Sequence, residues 1–386
     1  MGLSVEQPGP SETRSLRVVH LLPCLYLGGA EQHVLRLTRS LAPHIQFSLV
    51  APDGPGDVLF TPDGIPRRPF RRLETDFHTA FSSVRQALAA EAAAGPIDIV
   101  HVHIESGLLW FARKVLPDVP RIFTAHGIVG GAALKFWLTA RAINWWADRA
   151  CVVSAYERGR FERAGADPRK LRLIANGTDV PPHSAAGTRD MALRLGLDRE
   201  RHIVVGTLAR LEPEKGLDLL VRAVARLGDR LPHLRLVIAG SGSQEAKLKR
   251  LADSLGCVEQ IRFAGHVSEV GDLLSCLDIY TQPSRSEAFG LAVTEAMSMG
   301  LPAVVTSVGG LPEQIVDGDN GLIVPPNDPG ALSEAIARIA EDTKLRGHMA
   351  KAARTRHARY FGMERLRGSM YEVYRESVRS AAKRPA

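Results

Sequence analysis

LRVVHLLPCLYLGGAEQHVLRLTRSLAPHIQFSLVAP, residues 16–52, contains the pattern that decides the fold. An apolar run begins at Leu16, a Gly28-Gly29 pair follows, a helical stretch runs from Ala30 to Ala42, and a second apolar run begins at Ile45. Both runs are nearly continuous in apolar residues, the mark of strands covered on both faces. Strand–helix–strand order with such runs implies a parallel, doubly wound sheet. Working outward, the same kind of run returns as IDIVHVH from Ile97, RIFTAHG from Arg121, ACVVSA from Ala150 and LRLIANG from Leu171. Helix-like segments, such as the Ala-rich stretch Phe81–Ala94, lie between them.

Residues 181–187, PPHSAAG, form a Pro/Ser/Gly connector. The pattern then restarts with HIVVGTLA from His202, LRLVIAG from Leu234, IRFAGH from Ile261, LDIYTQP from Leu277, PAVVTSVGG from Pro302 and GLIVPP from Gly321. The chain from about Ala331 reads as helical, and Leu366, Met370, Val373 and Tyr374 share helical spacing near its end. The expected fold class is therefore α/β, with two doubly wound domains, 16–184 and 185–365, and a last helix from 366 to 386. In open parallel sheets ligands sit at the carboxyl ends of strands, so two facing sheets would make a cleft.

The 386-residue chain is long for one core, which agrees with two domains. With 45% hydrophobic and 24% charged residues it reads as globular, not disordered or fibrous. No apolar stretch is long enough to predict a membrane span. Cys24, Cys151, Cys257 and Cys276 lie far apart without a CxxC pair, which reads as buried reduced thiols. A net charge of +7 fits nucleic acid, anionic membranes or acidic small substrates. There is no zinc-finger spacing and no long basic run; Arg67, Arg68, Arg71 and Arg72 read as a solvated loop. The first fifteen residues lack the apolar core of a signal peptide and read as a disordered tail. Met1-Gly2 hints at myristoylation, but Glu6 stands where Ser or Thr is needed. A cytoplasmic location is the expectation.

Three stretches carry chemistry. Gly28 and Gly29 precede a helix, where backbone can approach a ligand and free N–H groups favour an anion, although the G-x-G-x-x-G spacing is absent. Arg210 and Lys215, in ARLEPEKG at the end of the second half's first strand, suit a diphosphate; pairing with Glu212 or Glu214 is the competing reading. In PSRSEAFGL, Glu287 precedes the glycine of a loop and Glu295 lies one turn inside the following helix. On one continuous helix the two would diverge by about 80°; across a loop and a helix both can reach one extended ligand. The N–H groups of Phe289, Gly290 and Leu291 open that helix, where a phosphate is favoured. His126 closes a strand in FTAHG, as a ligand contact or as a structural hydrogen-bonder. His101 and His103 share a strand face, but no third metal ligand stands at a sensible spacing, so a structural role is preferred.

These motifs together resemble the retaining GT-B glycosyltransferases of glycosyltransferase family four, also called glycosyl transferases group 1. GGAE at Gly28, FTAHG at Phe123, VVSAYE at Val152, ANGTD at Ala175, ARLEPEKG at Ala209, IAGSG at Ile238, FAGHV at Phe263, PSRSEAFGLAVTEAMSMGLPAVV at Pro283, GGLPE at Gly309 and NGLIVPPND at Asn320 occur in family order. The resemblance implies two Rossmann-like domains facing a central cleft, the first on the acceptor side and the second holding a nucleotide-sugar. It implies that Glu287 binds donor-sugar hydroxyls and Glu295 the ribose. Arg210, Lys215 and the backbone of Phe289 to Leu291 would hold the diphosphate. Gly28 and Gly29 would lie beside the phosphates and acceptor, His126 near the reacting carbon, and His266 and Val267 beside the base. Gly240, in IAGSG, belongs to the same donor set. Asn176 and Gly177 would form the hinge, and the last helix would cross back to the first domain. Ala209 and Ala175 depart from the family's usual Gly and Pro without touching a charged role.

The implied reaction is hexosyl transfer from a nucleoside diphosphate-sugar to an acceptor hydroxyl with retention. Leaving-group charge would be stabilised by Arg210, Lys215 and the helix N-terminus. No cofactor or metal is expected, since Arg210, Lys215 and the helix N-terminus would carry that charge. A nucleotide-sugar epimerase of related architecture and a non-catalytic nucleotide-sugar-binding protein are the alternatives; nucleic-acid binding rests on charge alone. The acceptor would be a sugar or a lipid-linked molecule in cell-surface polysaccharide or glycolipid assembly. LKFWLTARAINWW, residues 134–146, has apolar residues on several faces, which fits burial; a membrane-docking helix at the inner membrane face, with Lys135 and Arg141 meeting headgroups, is the sharper reading.

Overall fold

The computed structural model describes residues 15–26, 28–42, 44–71, 76–127 and 133–383. Met1-Gly2, the expected tail up to residue 14, Leu27 and Arg72 lie outside the described residues. The chain divides into two compact units, one of Met1–Ala125, Arg141–Ala150 and Met370–Ala386, the other of His126–Ala140 and Cys151–Ser369.

The first sheet has strands β1 (Leu16–Leu21), β2 (Ile45–Val50), β3 (Arg67–Arg68), β4 (Ile99–His103), β5 (Arg121–Thr124), β6 (Arg149–Val152) and β7 (Leu171–Leu173), in the order 3-2-1-4-5-6-7. The second has β8 (Ile203–Leu208), β9 (Leu234–Ala239), β10 (Ile261–Gly265), β11 (Ile279–Gln282), β12 (Ala303–Thr306) and β13 (Gly321–Val324), in the order 10-9-8-11-12-13. β1 pairs in parallel with both β2 and β4, and β8 with both β9 and β11. The chain thus reverses direction of travel across each sheet at β1/β4 and β8/β11, the switch points beside which such sheets bind ligands. Every strand expected from its apolar run forms.

The central strands are buried because helices cover both faces. Helix Leu217–Leu227 shows how: Leu217, Leu220, Val221, Val224 and Leu227 recur at i, i+3, i+4, i+7 and i+10 and are all buried, in a core shared with Val205, Leu236 and Ile238 of the sheet. In the first sheet β4 is buried at every residue, its two histidines included.

The arginine-rich segment differs from its expected solvated loop. Arg67 and Arg68 form an edge strand, registered with Leu49 and Val50. Arg67 pairs with Asp53 at 2.7 Å and Asp57 at 3.0 Å, and Arg68 with buried Glu91 at 3.2 Å. The nearby carboxylates neutralise the cations, so backbone pairing wins.

Candidate functional site

In the second unit the loops leaving β8 and β11 meet at the switch point. Lys215 Nζ donates to Glu287 Oε2 at 2.7 Å, and both side chains are largely buried. The competing pairing of Lys215 with Glu212 or Glu214 does not occur. Arg210 does take the local partner: its Nη2 donates to Glu214 at 2.8 Å, with the side chain 61% exposed. The Glu214 carbonyl in turn accepts the N–H of Arg285 at 2.7 Å. Arg285 forks onto Asp218 at 2.7 and 2.8 Å, locking one loop to the other. That bidentate bond depresses the Asp218 pKa.

The β11 loop is shaped from below. Gly290 ends it at φ +98°, a conformation that costs an L side chain energy, and a Cβ there would stand 2.7 Å from Leu311. It is the N-cap of helix Leu291–Ser298, whose first N–H groups have no side-chain cap. Glu295 lies within that helix, half-buried. Phe289 contributes backbone only, because its ring is core, stacked edge-on against Phe361. Buried Gln314 donates to the Phe289 carbonyl and accepts from Thr294 at 2.9 Å. Gly309, at φ +59°, passes so close under the Glu287 carbonyl that any Cβ would collide with it.

His126 reaches this loop. It adopts φ +57°, uncommon for a residue with a Cβ. A Cβ on the next residue, Gly127, would run into Ala288, so the turn abuts the residue beside Glu287. The turn is held by Glu157, whose carboxylate accepts the Gly127 N–H and the Val153 N–H, both at 3.0 Å. Glu157 is buried, and desolvation pushes its pKa up to about 7. Ser154 donates to the Ala288 carbonyl at 2.8 Å, and Glu313 accepts the N–H groups of Ala155 and Tyr156, both at 2.8 Å.

The remaining expected residues are scattered. Gly240 lies at the β9 end and donates to the Gly265 carbonyl at 2.6 Å. His266 is exposed beyond β10, and Val267 packs on the core. Gly28 and Gly29 belong to the first unit, where Gly28 is the N-cap of helix Gly29–Leu41. Glu31 of the same motif folds back, accepts the Tyr26 N–H at 2.8 Å, and has its pKa raised by burial. It clamps its own loop.

The family model for Glycosyl transferases group 1 matches residues 196–356, and that for Glycosyltransferase Family 4 matches residues 27–180. A D-inositol 3-phosphate glycosyltransferase of Salinispora arenicola is 35% identical over 331 residues, 78% of this chain and 73% of the relative. The chain belongs to glycosyltransferase family 4. A D-inositol 3-phosphate glycosyltransferase of Mycobacterium tuberculosis is 31% identical over 401 residues, covering 96% of this glycosyltransferase and 81% of the relative. Among solved structures, HepE of Anabaena in complex with UDP-glucose has a TM-score of 0.82 at 21% identity, covering 94% of this chain and 100% of that one. WaaG, involved in lipopolysaccharide biosynthesis, has a TM-score of 0.72 at 16% identity over 92% of this chain and 99% of that one. Both share the GT-B fold.

Several residues that build the transferase's site have no obvious chemical signal in the sequence. Gly309, Glu313 and Gln314 act on backbone groups of other segments, at sequence separations from 22 for Gly309–Glu287 to 158 for Glu313–Ala155, and Glu157 holds Gly127 at a separation of 30 as well as nearby Val153. Glu157, Gly309 and Glu313 lie in the VVSAYE and GGLPE motifs, and Ser154 three residues before Glu157 is a helix-start signature; Ser154 does cap Glu157 at 3.1 Å.

Proposed function

We propose that this glycosyltransferase moves a hexosyl group from a nucleoside diphosphate-sugar to an acceptor hydroxyl with retention and without a metal ion. The observation that carries the reading is the Lys215–Glu287 pair at the β8/β11 switch point. Without donor, the cation and carboxylate satisfy each other. A donor offers both a better partner: diphosphate oxygens for Lys215 and sugar hydroxyls for Glu287. Exposed Arg210 reaches the same anion by leaving half-buried Glu214. The uncapped N–H groups opening helix Leu291–Ser298 add donors. Glu295 serves the ribose, and His126, whose neighbour Gly127 is held by Glu157, faces the sugar.

Charge develops on the departing diphosphate as the anomeric C–O bond breaks, and fixed donors stabilise it without reorganisation. The acceptor oxygen bonds to the same face of the anomeric carbon, and its proton passes to a departing phosphate oxygen. HepE's complexes with UDP and UDP-glucose favour a UDP-sugar, and the inositol-phosphate relatives favour a polyol acceptor. The test is product formation from UDP-, GDP- and ADP-sugars with inositol 3-phosphate or a lipid-linked sugar, in excess EDTA, with the anomer read by NMR. A product of the donor's configuration, formed at an unchanged rate in EDTA, is expected. An inverted anomer, or activity abolished by EDTA, contradicts the proposal.

A membrane-contacting role is favoured by one helix. Ala133–Trp146 buries Phe136, Ala140 and Ile143 but exposes Leu134 (65%), Trp137 (44%), Leu138 (52%) and Trp145 (60%). Positions 134, 137, 138, 141 and 145 form one stripe about 100° wide. Burial alone therefore describes half of this helix. Exposed Lys135 flanks the stripe and exposed Arg141 lies within it, 5.9 Å from the Trp145 ring. No helix among the described residues can cross a membrane. The stripe would instead lie in the interface, with the cations on anionic headgroups. Lys135→Glu/Arg141→Glu should weaken binding to anionic liposomes; unchanged binding, or none by the parent, contradicts this.

A further inference from the structure

β1 and β4 place three imidazoles together at the centre of the first unit. His20 is registered with His101, and His103 follows on the same face. All three are buried, and one nitrogen of each lies within 4.8 Å of the others, the only such group of metal-binding side chains among the described residues. The third ligand that spacing did not reveal is thus His20, 81 residues upstream on the neighbouring strand. The ring centroids of His101 and His103 are 4.1 Å apart, and those of His20 and His103 are 5.0 Å apart.

We propose that His20, His101 and His103 form a structural binding site for a zinc-type transition-metal ion. His20 Nδ1 and His103 Nε2 stand 2.9 Å apart, sharing a proton. Two imidazole nitrogens on one tetrahedral ion stand about 3.3 Å apart. Replacing the shared proton by an ion therefore needs a shift of only a few tenths of an ångström between His20 and His103, while the nitrogen of His101 closes from within 4.8 Å. His101 is oriented from outside, with Tyr374 Oη 2.8 Å from its Nδ1 and Thr124 Oγ1 2.8 Å from its Nε2. When one nitrogen ligates, the hydroxyl on the other remains as the orienting partner that metal-bound histidines require. Three neutral nitrogen donors without a carboxylate select zinc, copper or nickel over magnesium or calcium. The site contains none of the residues assigned to the donor, so its role is to tie β1 to β4.

Because the cluster is buried, the ion enters during folding, and the test uses the full chain. Protein made without a tag in zinc-supplemented medium, and protein refolded with Zn²⁺, is assayed by mass spectrometry for metal. About one equivalent is expected in the parent and less than about a tenth in His20→Gln and in His103→Gln. A parent below about a tenth under both conditions, or equal content in a folded variant, overturns the proposal. If neither variant folds, the parent refolded with Co²⁺ decides. Visible bands of tetrahedral, nitrogen-bound cobalt support the site, and their absence overturns it.

Discussion

The two sheets share a strand order but use their switch points differently. At β8/β11 the strands' one titratable side chain, buried Tyr280, is bonded to Gln282 at 2.9 Å, and the charges stand in the loops just beyond. At β1/β4 the polar groups lie inside the strands, as His20, His101 and His103, and the loop's own carboxylate, Glu31, is consumed by its backbone. One scaffold thus serves two purposes. On the proposed reading, titratable groups past the strand ends exchange partners with a ligand, whereas those within the strands are committed to structure.

That contrast predicts opposite readouts for substitutions in the two regions. The largest effect is expected at Lys215→Ala, which should lower kcat/KM by about 10²–10³-fold while leaving the fold intact. A collapse of stability with normal specific activity in the remaining folded protein would erase the distinction. In the first sheet Tyr374→Phe leaves His101 Nδ1 without its hydroxyl. It should cost about 1–3 kcal/mol in denaturant unfolding. Nucleotide-sugar affinity should be unchanged, and a change there would break the comparison.

Glu157 sharpens it, as a buried titratable group that serves the site by holding a turn. Its folded pKa of about 7 lies above the ordinary 4.5, so the folded state binds the proton more tightly. The associated stability is full below pH 4.5 and is lost as pH rises through 7, on the order of 3 kcal/mol in all. Glu157→Gln should flatten that slope in denaturation across pH 4–8, and an unaltered slope assigns the titration elsewhere. The smallest effect is expected for Arg210→Ala. Its partner Glu214 is local and its side chain exposed, so donor KM should rise about threefold to tenfold with kcat nearly constant.

Much of this architecture was legible in the chain. Continuous apolar runs such as LRLVIAG can only be strands buried on both faces, and every such run became one. The two-residue β3 was not legible, because Arg67 and Arg68 join the sheet through carboxylates at Asp53, Asp57 and Glu91. Lys215 and Glu287 could be named from residue type and loop position, but their pairing follows from strand order, which local pattern does not encode. His20 escaped notice for the same reason: register across β1 and β4, not spacing, makes it the neighbour of His101. The helix Ala133–Trp146 showed its apolar content in sequence, while the split into buried and exposed faces required the fold.

The central claim is that the β8 and β11 loops form the diphosphate site. The direct measurement is a metal-free thermal-shift and calorimetric titration of UDP-, GDP- and ADP-sugars against the parent and Arg210→Ala/Lys215→Ala. One nucleotide-sugar should stabilise and bind the parent, and the double variant, folded with a similar Tm of its own, should lose both responses. Equal binding by parent and double variant, or catalytic turnover of a donor that the variant binds undiminished, would contradict the account.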